Sequence, residues 1–389
     1  MKKLTRLIML AAAVSTAAPV WAQTTELEAE LRAEINRLKA QVVRAEALLQ
    51  RMQAAAPVPV QLVAATPPPV APKPPARAPG LNTPSKLPAS EAKNFLKTPP
   101  RIDLLLQAGY YHFTDNSLNS TFLMRKAEIG FKGHVSSFVD YCVEVDLARN
   151  TLNDPYRRTY IRFSHFEKLQ VKVGLEKAPI GIEELSSSGQ VPFAQRSEVT
   201  DRFSAAEEMG VFLESNWTQW MFQASLTNGG RRLYRDDNKR KDFTARAVWA
   251  PLPNLSFGLA TLQGATGATS QERVRYQAEV RYGPNQSQGA TAEYYRAQDG
   301  LIWSDGFYAA GYWAYPIKSG WLTHIQPVVR YESINRDDND RARELKLGTL
   351  GFSLFLSDFK SKLQFNWLHD LRSDRLRKDE IRTLVSVEF

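Results

Sequence analysis

Cysteine is almost missing from this 389-residue chain. Cys142 stands alone, so no intramolecular disulfide can form. A thiol nucleophile would want a base beside it. The five histidines (His112, His134, His165, His324 and His369) are scattered, and none neighbours Cys142 in sequence. The thiol reads as a small packed side chain. G-x-S-x-G and H-E-x-x-H are absent, as is any Ser/His pair at a persuasive spacing, which removes the motif-bearing hydrolases and zinc proteases. The two "RDDN" segments, at Arg235 and Arg336, lack the glycine and distal glutamate of an EF-hand loop and read as solvated tips. No metal, cofactor or nucleic-acid partner is expected. The apolar run near the front, "LIMLAAAVSTAAPV", is too short for a comfortable membrane helix, and a polar stretch succeeds it.

That run belongs to a secretory signal over residues 1–22. "MKKLTR" is its cationic start, and "VWA" before Gln23 is a small-x-small cleavage site. The expectation is an exported bacterial protein of the periplasm or outer membrane. Over residues 24–53, Leu31, Ile35, Leu38, Val42, Ala45, Leu49 and Met52 recur at alternating spacings of four and three, an a/d seam flanked by Glu and Arg. A single helix would leave that seam wet, so it should pair with copies of itself or lie on another surface. Residues 54–99 are rich in Pro and Ala and read as a semi-rigid linker with no core of its own. Most of the net charge of +9 resides in these front segments.

From residue 100 to 389 the pattern changes to period two. In "RVRYQAEVRYG", Val274, Tyr276, Ala278, Val280 and Tyr282 share one face, and Arg273, Arg275, Gln277, Glu279 and Arg281 the other. Alternation alone suits both a soluble sandwich and a membrane barrel. Three further observations choose the barrel. The first is a count of about sixteen strands: 102–112, 121–132, 136–148, 156–165, 168–174, 207–214, 217–227, 242–250, 254–263, 272–283, 288–297, 301–315, 322–334, 343–356, 359–369 and 380–389. The second is the connections, which alternate between short ones ("GHVS" near His134, "PLPN", "GPNQ", "LSDF") and longer polar ones. The third is aromatic placement: Tyr110, Tyr111, Tyr160, Trp217, Trp220, Trp249, Tyr312, Trp313, Trp321 and Trp367 sit near strand ends, where interface girdles belong. The fold class is therefore all-β: a sixteen-stranded antiparallel transmembrane barrel in the bacterial outer membrane, preceded by a short coiled-coil helix and a linker. An even-stranded barrel has both ends in the periplasm, so the coiled coil should hang there, where it could assemble beneath the barrel or touch the cell wall.

One stretch breaks the rhythm. "GLEKAPIGIEELSSSGQVPFAQRSEVTDRF" runs about thirty residues from Gly174 without a convincing strand. This segment, with "FLMRKAEIGFKG" (122–133), "YCVEVDLARN" (141–150) and "MGVFLES" (209–215), resembles the phosphate-selective porin O and P family. The final "TLVSVEF" resembles the strand by which outer-membrane barrels are recognised for assembly. The family resemblance implies a trimeric porin with its third loop folded into the lumen as a constriction. It also implies arginines and lysines that line the pore and bind small anionic solutes such as phosphate. On the inward faces these are Lys126, Arg158, Arg162, Lys172, Arg246, Arg273, Arg275, Arg281, Arg296, Arg330, Lys362 and Arg382. Guanidinium rows suit oxyanions because the planar fork binds them bidentately and stays charged. The loop adds Lys177, Arg196 and Arg202, with Ser186, Ser187 and Ser188 as neutral donors. The sequence departs from the family at Glu184, a carboxylate where phosphate-selective members carry lysine; another register places Lys177 there. The expectation is anion preference rather than strict phosphate selectivity. A lumen arginine could equally be paired with Glu128, Glu144, Asp146, Glu279 or Glu332. The alternatives are a general or weakly cation-preferring porin that also tethers the membrane through its coiled coil, and an outer-membrane hydrolase using one of the histidines.

Overall fold

The computed structural model describes residues 99–389 except 116–117, 149–154, 230–235, 237, 268, 284–286, 341–343, 358 and 373–378. The expected signal, coiled coil and nearly all of the linker lie outside the described residues.

Seventeen strands run in chain order. They are β1 (Arg101–Phe113), β2 (Thr121–Ser136), β3 (Val139–Asp146), β4 (Tyr156–Phe166), β5 (Leu169–Lys177) and β6 (Glu207–Asn216). Next come β7 (Trp220–Thr227), β8 (Asp242–Leu252), β9 (Leu255–Thr266), β10 (Gln271–Tyr282), β11 (Gln288–Asp299) and β12 (Ile302–Trp313). The last are β13 (Tyr315–Ser319), β14 (Leu322–Asn335), β15 (Leu345–Ser357), β16 (Ser361–Asp370) and β17 (Glu380–Glu388). Apart from β12 and β13, each strand pairs antiparallel with the next in the chain, and β17 returns to β1, from Leu105↔Glu388 to Phe113↔Glu380, closing the sheet. β12 and β13 both pair with β14, so they form one crossing interrupted at Ala314. Pro316, which has no N–H to give the ladder, sits at that break. The seventeen strands therefore make a closed barrel of sixteen crossings. Closure matters because no water in the bilayer can satisfy an open sheet edge.

Alternation sets the two faces. On β16, Trp367 points outward and is 42% exposed, while Lys362, Gln364 and Asn366 are buried inside. Trp220 stacks on Phe222 and Trp249 at centroid distances of 5.8 and 6.0 Å, forming part of a girdle beside the short turns. Three tyrosines expected in that girdle face the lumen instead. Tyr160 lies under the Lys172 ammonium at 5.1 Å, Tyr111 under the Arg382 guanidinium at 5.3 Å, and Tyr312 hydrogen-bonds Arg281. Their place at a strand end did not decide their face; strand parity did.

Two boundaries also differ from expectation. The turn expected near His134 lies beyond it: β2 runs on to Ser136, and Gly133 and His134 pair with Tyr141 and Asp140. Gly133 serves a close approach rather than a bend, since a Cβ there would lie 2.7 Å from the Tyr141 hydroxyl. The twelfth crossing ends at Ser319 rather than Tyr315.

Candidate solute pathway

β5 ends at Lys177 and β6 begins at Glu207. The chain between them holds two short helices, α1 (Ile182–Leu185) and α2 (Glu198–Phe203). α1 starts at Gly181, whose φ of 86° and whose approach to the Tyr295 hydroxyl both require glycine. Basic side chains cap its other end. Lys177 Nζ donates to the carbonyls of Glu184 and Ser186 at 2.5 and 3.0 Å, and Arg196 donates to those of Glu183 and Ser186 at 2.8 and 2.9 Å. Carbonyls left over at a helix C-terminus favour cations in this way. α2 is capped by Ser197, whose hydroxyl accepts from the Thr200 amide at 2.9 Å.

The loop lies against side chains that face the barrel interior. Ala178, Ile180, Val199, Phe203 and Ala205 pack with Ala260, Leu262, Tyr295, Ala297, Tyr308, Ile334, Leu345 and Leu347. A barrel lumen is ordinarily polar, so this apolar cluster is a second core, absent from the sequence reading. Polar anchors surround it. Glu293 accepts from the Glu183 amide at 3.0 Å and from the Tyr295 and Tyr308 hydroxyls at 2.6 and 2.5 Å. Glu332 accepts from the Glu198 amide at 2.6 Å. Arg330 stacks on Phe193 at 4.4 Å and donates to the Gln195 carbonyl at 3.1 Å. Lys362 and Gln364 reach the carbonyls of Val191 and Pro192, and Gln107 that of Ser188. Most of these partners stand on β11 to β17, with Gln107 on β1, so the anchors gather on one side of the wall.

The bases named from sequence face inward with one exception, and most meet carboxylates. The exception, Arg296, shares the outward side of β11 with the exposed Tyr294, because Glu293, Tyr295 and Ala297 take the inward positions of that strand. Lys126 lies 2.8 Å from Glu128 and 3.2 Å from Asp146. Arg158 pairs with Glu144 at 2.8 Å, Arg162 with Asp140 at 2.5 Å, and Lys172 with Glu176 at 3.0 Å. Arg246 pairs with Glu279. Arg273 sits 3.1 Å from both Glu208 and Asp242, and Arg275 grips Asp299 through two bonds of 2.8 and 3.0 Å. Arg330 pairs with Glu332 at 3.0 Å, Arg382 with Glu380 at 2.6 Å, and Arg296 with Asp338 at 2.5 Å. Glu184 lies 3.7 Å from Arg196. Ser186 Oγ donates to the Ile182 carbonyl, and Ser187 Oγ accepts from the Gly189 amide, so both hydroxyls serve the loop itself. Arg202 is exposed at the end of α2, over Phe203, where burial of its stem and the charge of Arg336 lower its pKa. Among the described residues, neither Arg202 nor Arg281 has a carboxylate partner within ion-pair distance.

Two of the bases that escaped the sequence reading owe their inward position to bulges. The β1–β2 ladder pairs Gln107 with Lys126 and Ala108 with Met124, leaving Arg125 as the extra residue of a bulge. The β3–β4 ladder likewise passes from Val143↔Thr159 to Val145↔Tyr156, so Arg157 and Arg158 together oppose Glu144. Each bulge turns two consecutive bases inward. Arg125 bonds Gln107 at 2.7 Å, and Arg157 pairs with Glu207 at 2.8 Å. The signal was present in the sequence: strict alternation would leave one residue of "RK" and of "RR" in lipid, where a cation costs ~2–4 kcal/mol at the midplane.

A cavity of about 710 Å³ lies between the underside of the loop and the wall near the short turns. Its lining includes Arg101, Lys132, Arg158, Lys172, Lys177, Arg246 and Arg281, and in equal number Asp103, Glu128, Glu144, Glu176, Glu214, Glu279 and Glu388.

A closed sixteen-crossing barrel with an apolar exterior, a charged interior and a long loop inside it defines a porin-type channel of the outer membrane. Residues 102–320, more than half of the chain, match the family described as phosphate-selective porin O and P, and the chain belongs to that family. Solved porins share the fold. An anion-selective porin from Comamonas acidovorans aligns at TM-score 0.56 and 11% identity, over 75% of this chain and 99% of that one. Salmonella typhi OmpF, in complex with daunomycin, aligns at TM-score 0.55 and 11% identity, over 75% and 97%. Trimeric OmpT of Vibrio cholerae aligns at TM-score 0.51 and 10% identity, over 75% and 99%. No curated protein sequence matches.

Proposed function

We propose that the barrel is a passive pore for small hydrophilic solutes, with the 178–206 loop as its constriction and a mild preference for small oxyanions. The observation that carries this is the anchoring of the loop to inward-facing side chains of one wall. That leaves solutes the other side, where β2 to β10 present their bases. The anion preference rests on the bases without carboxylate partners, on the family, and on the likeness to an anion-selective porin. The preference is mild because the arginine rows are largely neutralised by their own carboxylates, so no unbroken ladder of free guanidinium groups is available to phosphate. The chain works as a homotrimer, as OmpT does, with its N-terminal helix in the periplasm.

A second reading, a general or weakly cation-preferring pore, is favoured by the cavity lining, in which carboxylates equal bases. Recording from the purified protein in planar bilayers under a KCl gradient decides between them. An anion-signed reversal potential, with chloride current blocked by added phosphate, supports the first. A potential near zero or of cation sign, without block, supports the second.

A further inference from the structure

We propose that the charge preference of the pore is set by Arg125, the extra residue of the β2 bulge, rather than by the inward-facing arginine rows. This rests on the proposed function, in which solutes pass between the loop and the wall.

The argument begins with cancellation. A base held beside a carboxylate presents a dipole to a passing ion, and the field of a dipole falls off faster than that of a single charge. A base sealed from water is also felt less by a solute that stays hydrated. Both conditions hold for most lumen bases at the level of the loop. Lys126, Arg157, Arg246, Arg273, Arg330 and Arg382 are all buried, and all are paired with carboxylates. Arg196 and Lys362 are buried too, and both donate to backbone carbonyls of the loop.

Arg125 escapes the first condition and meets the second only in part. It is half-buried, and its only hydrogen bond among the described residues is to the neutral Gln107 side chain. No described carboxylate lies within ion-pair distance of it. Its position is tied to the loop, because the same Gln107 donates to the Ser188 carbonyl at 3.2 Å. Arg196 and Arg382 lie within electrostatic range of it and add their sign, with Asp201 opposing them. Among the described residues, Lys177 and Lys362 also lack carboxylate partners but are buried against loop carbonyls. Two more bases without such partners, Arg281 and Arg202, do not share this anchor. Arg281 lies toward the short turns and Arg202 at the outer end of α2. The ligand class that suits Arg125 is a small hydrated oxyanion, which can displace water from the guanidinium edge without first breaking an ion pair.

The bulge gives the inference its structural sense. Without the extra residue, regular pairing would send Arg125 toward lipid, and Lys126 would be the only base the strand offers at this height. The inserted residue adds to the lumen a cation that no carboxylate was placed to meet.

The test is reversal potential in planar bilayers under a KCl gradient, for the full chain and three variants. In Arg125→Gln the chloride-to-potassium permeability ratio should fall by roughly threefold or more, as expected for losing one unscreened charge beside the ion path. Arg125→Lys should keep the ratio within about twofold, because it keeps the charge. Lys168→Gln, beside the Trp217 ring at the girdle, should leave the ratio unchanged and controls for the loss of a positive charge elsewhere. Folding is checked by the mobility of the unheated protein on electrophoresis. Should Arg125→Gln assemble poorly, Arg125→Cys can be labelled after assembly, since Cys142 is 2% exposed and out of reach. A cationic thiol reagent should then restore the ratio, and a neutral one should not. An anion-preferring wild type whose ratio survives Arg125→Gln overturns this inference and leaves the pore's anion preference standing. A wild type that prefers cations, and prefers them more strongly in Arg125→Gln, upholds the role of Arg125 and overturns the anion preference. A cation-preferring wild type unmoved by the substitution overturns both.

Discussion

Replacing Arg330 by methionine should loosen the loop while the barrel stays closed. The guanidinium is 2% exposed, lies 3.0 Å from Glu332 and 3.5 Å from Glu183, donates to the Gln195 carbonyl, and stacks on Phe193. Methionine keeps much of the side-chain volume and removes the charge. Glu332 is then left buried without its cation while it still holds the Glu198 amide. Removing one member of a buried pair costs about 3–5 kcal/mol, most of it from the stranded charge. The barrel has sixteen crossings to absorb a local loss, whereas the loop has only its anchors and its small core, so the cost should fall on the loop. Hydrogen exchange at the Glu198 and Thr200 amides should quicken by at least a hundredfold, since each 1.4 kcal/mol is about a factor of ten. Single-channel conductance should rise and become noisier. Adding Glu332→Gln removes the stranded charge and keeps an acceptor for the Glu198 amide, so the double variant should recover to within about 1–2 kcal/mol of wild type. Unchanged exchange and conductance in Arg330→Met would refute the claim that this pair holds the loop. A double variant as loose as the single one would refute the stranded-charge account of why.

Two further outcomes test the packing. Phe203→Ala empties a fully buried site in the core between loop and wall and should cost about 3–5 kcal/mol of local stability, seen as faster protease cleavage of the loop in detergent-solubilised protein. Gly133→Leu would force a side chain into the Tyr141 ring and should lower barrel stability by about 1–3 kcal/mol in a urea titration in micelles, with Tyr141→Ala in the same chain recovering much of the loss.

The crossings were legible because period-two alternation is a local property. Lys362, Gln364 and Asn366 on one face and Leu363, Phe365 and Trp367 on the other can be read from nine consecutive residues. The excursion after β5 was legible for the converse reason, since its alternation stops. What escaped depends on pairs of strands or on residues far apart. A bulge is a mismatch between two ladders, so Arg125 and Arg157 turn inward because of how β1 and β3 pair with their strands. The glycine beside His134 signals a turn when read alone and a niche for Tyr141 when read with its partner strand. The apolar core inside the barrel joins Ile180 and Phe203 to Leu262 and Leu347, and no window spans those separations. The ion pairs obey the same rule. Arg273 meets Glu208 across 65 positions, so a row of arginines on one strand gave no sign that acids on other strands would neutralise it.

The seam between β1 and β17 has a consequence for how this protein is made. Gln107 and Ser386 touch across 279 positions of chain, and the ladder beside them joins the first described strand to β17. Until β17 has been delivered, both β1 and the growing edge of the sheet carry a full row of unpaired backbone groups. In water such edges invite pairing with other chains, and in lipid they cannot be tolerated. Contacts so distant in sequence also form slowly. The barrel is thus finished by a single late event, like a belt that holds nothing until it is buckled. Up to that moment the chain depends on whatever shields its edges as it crosses the envelope.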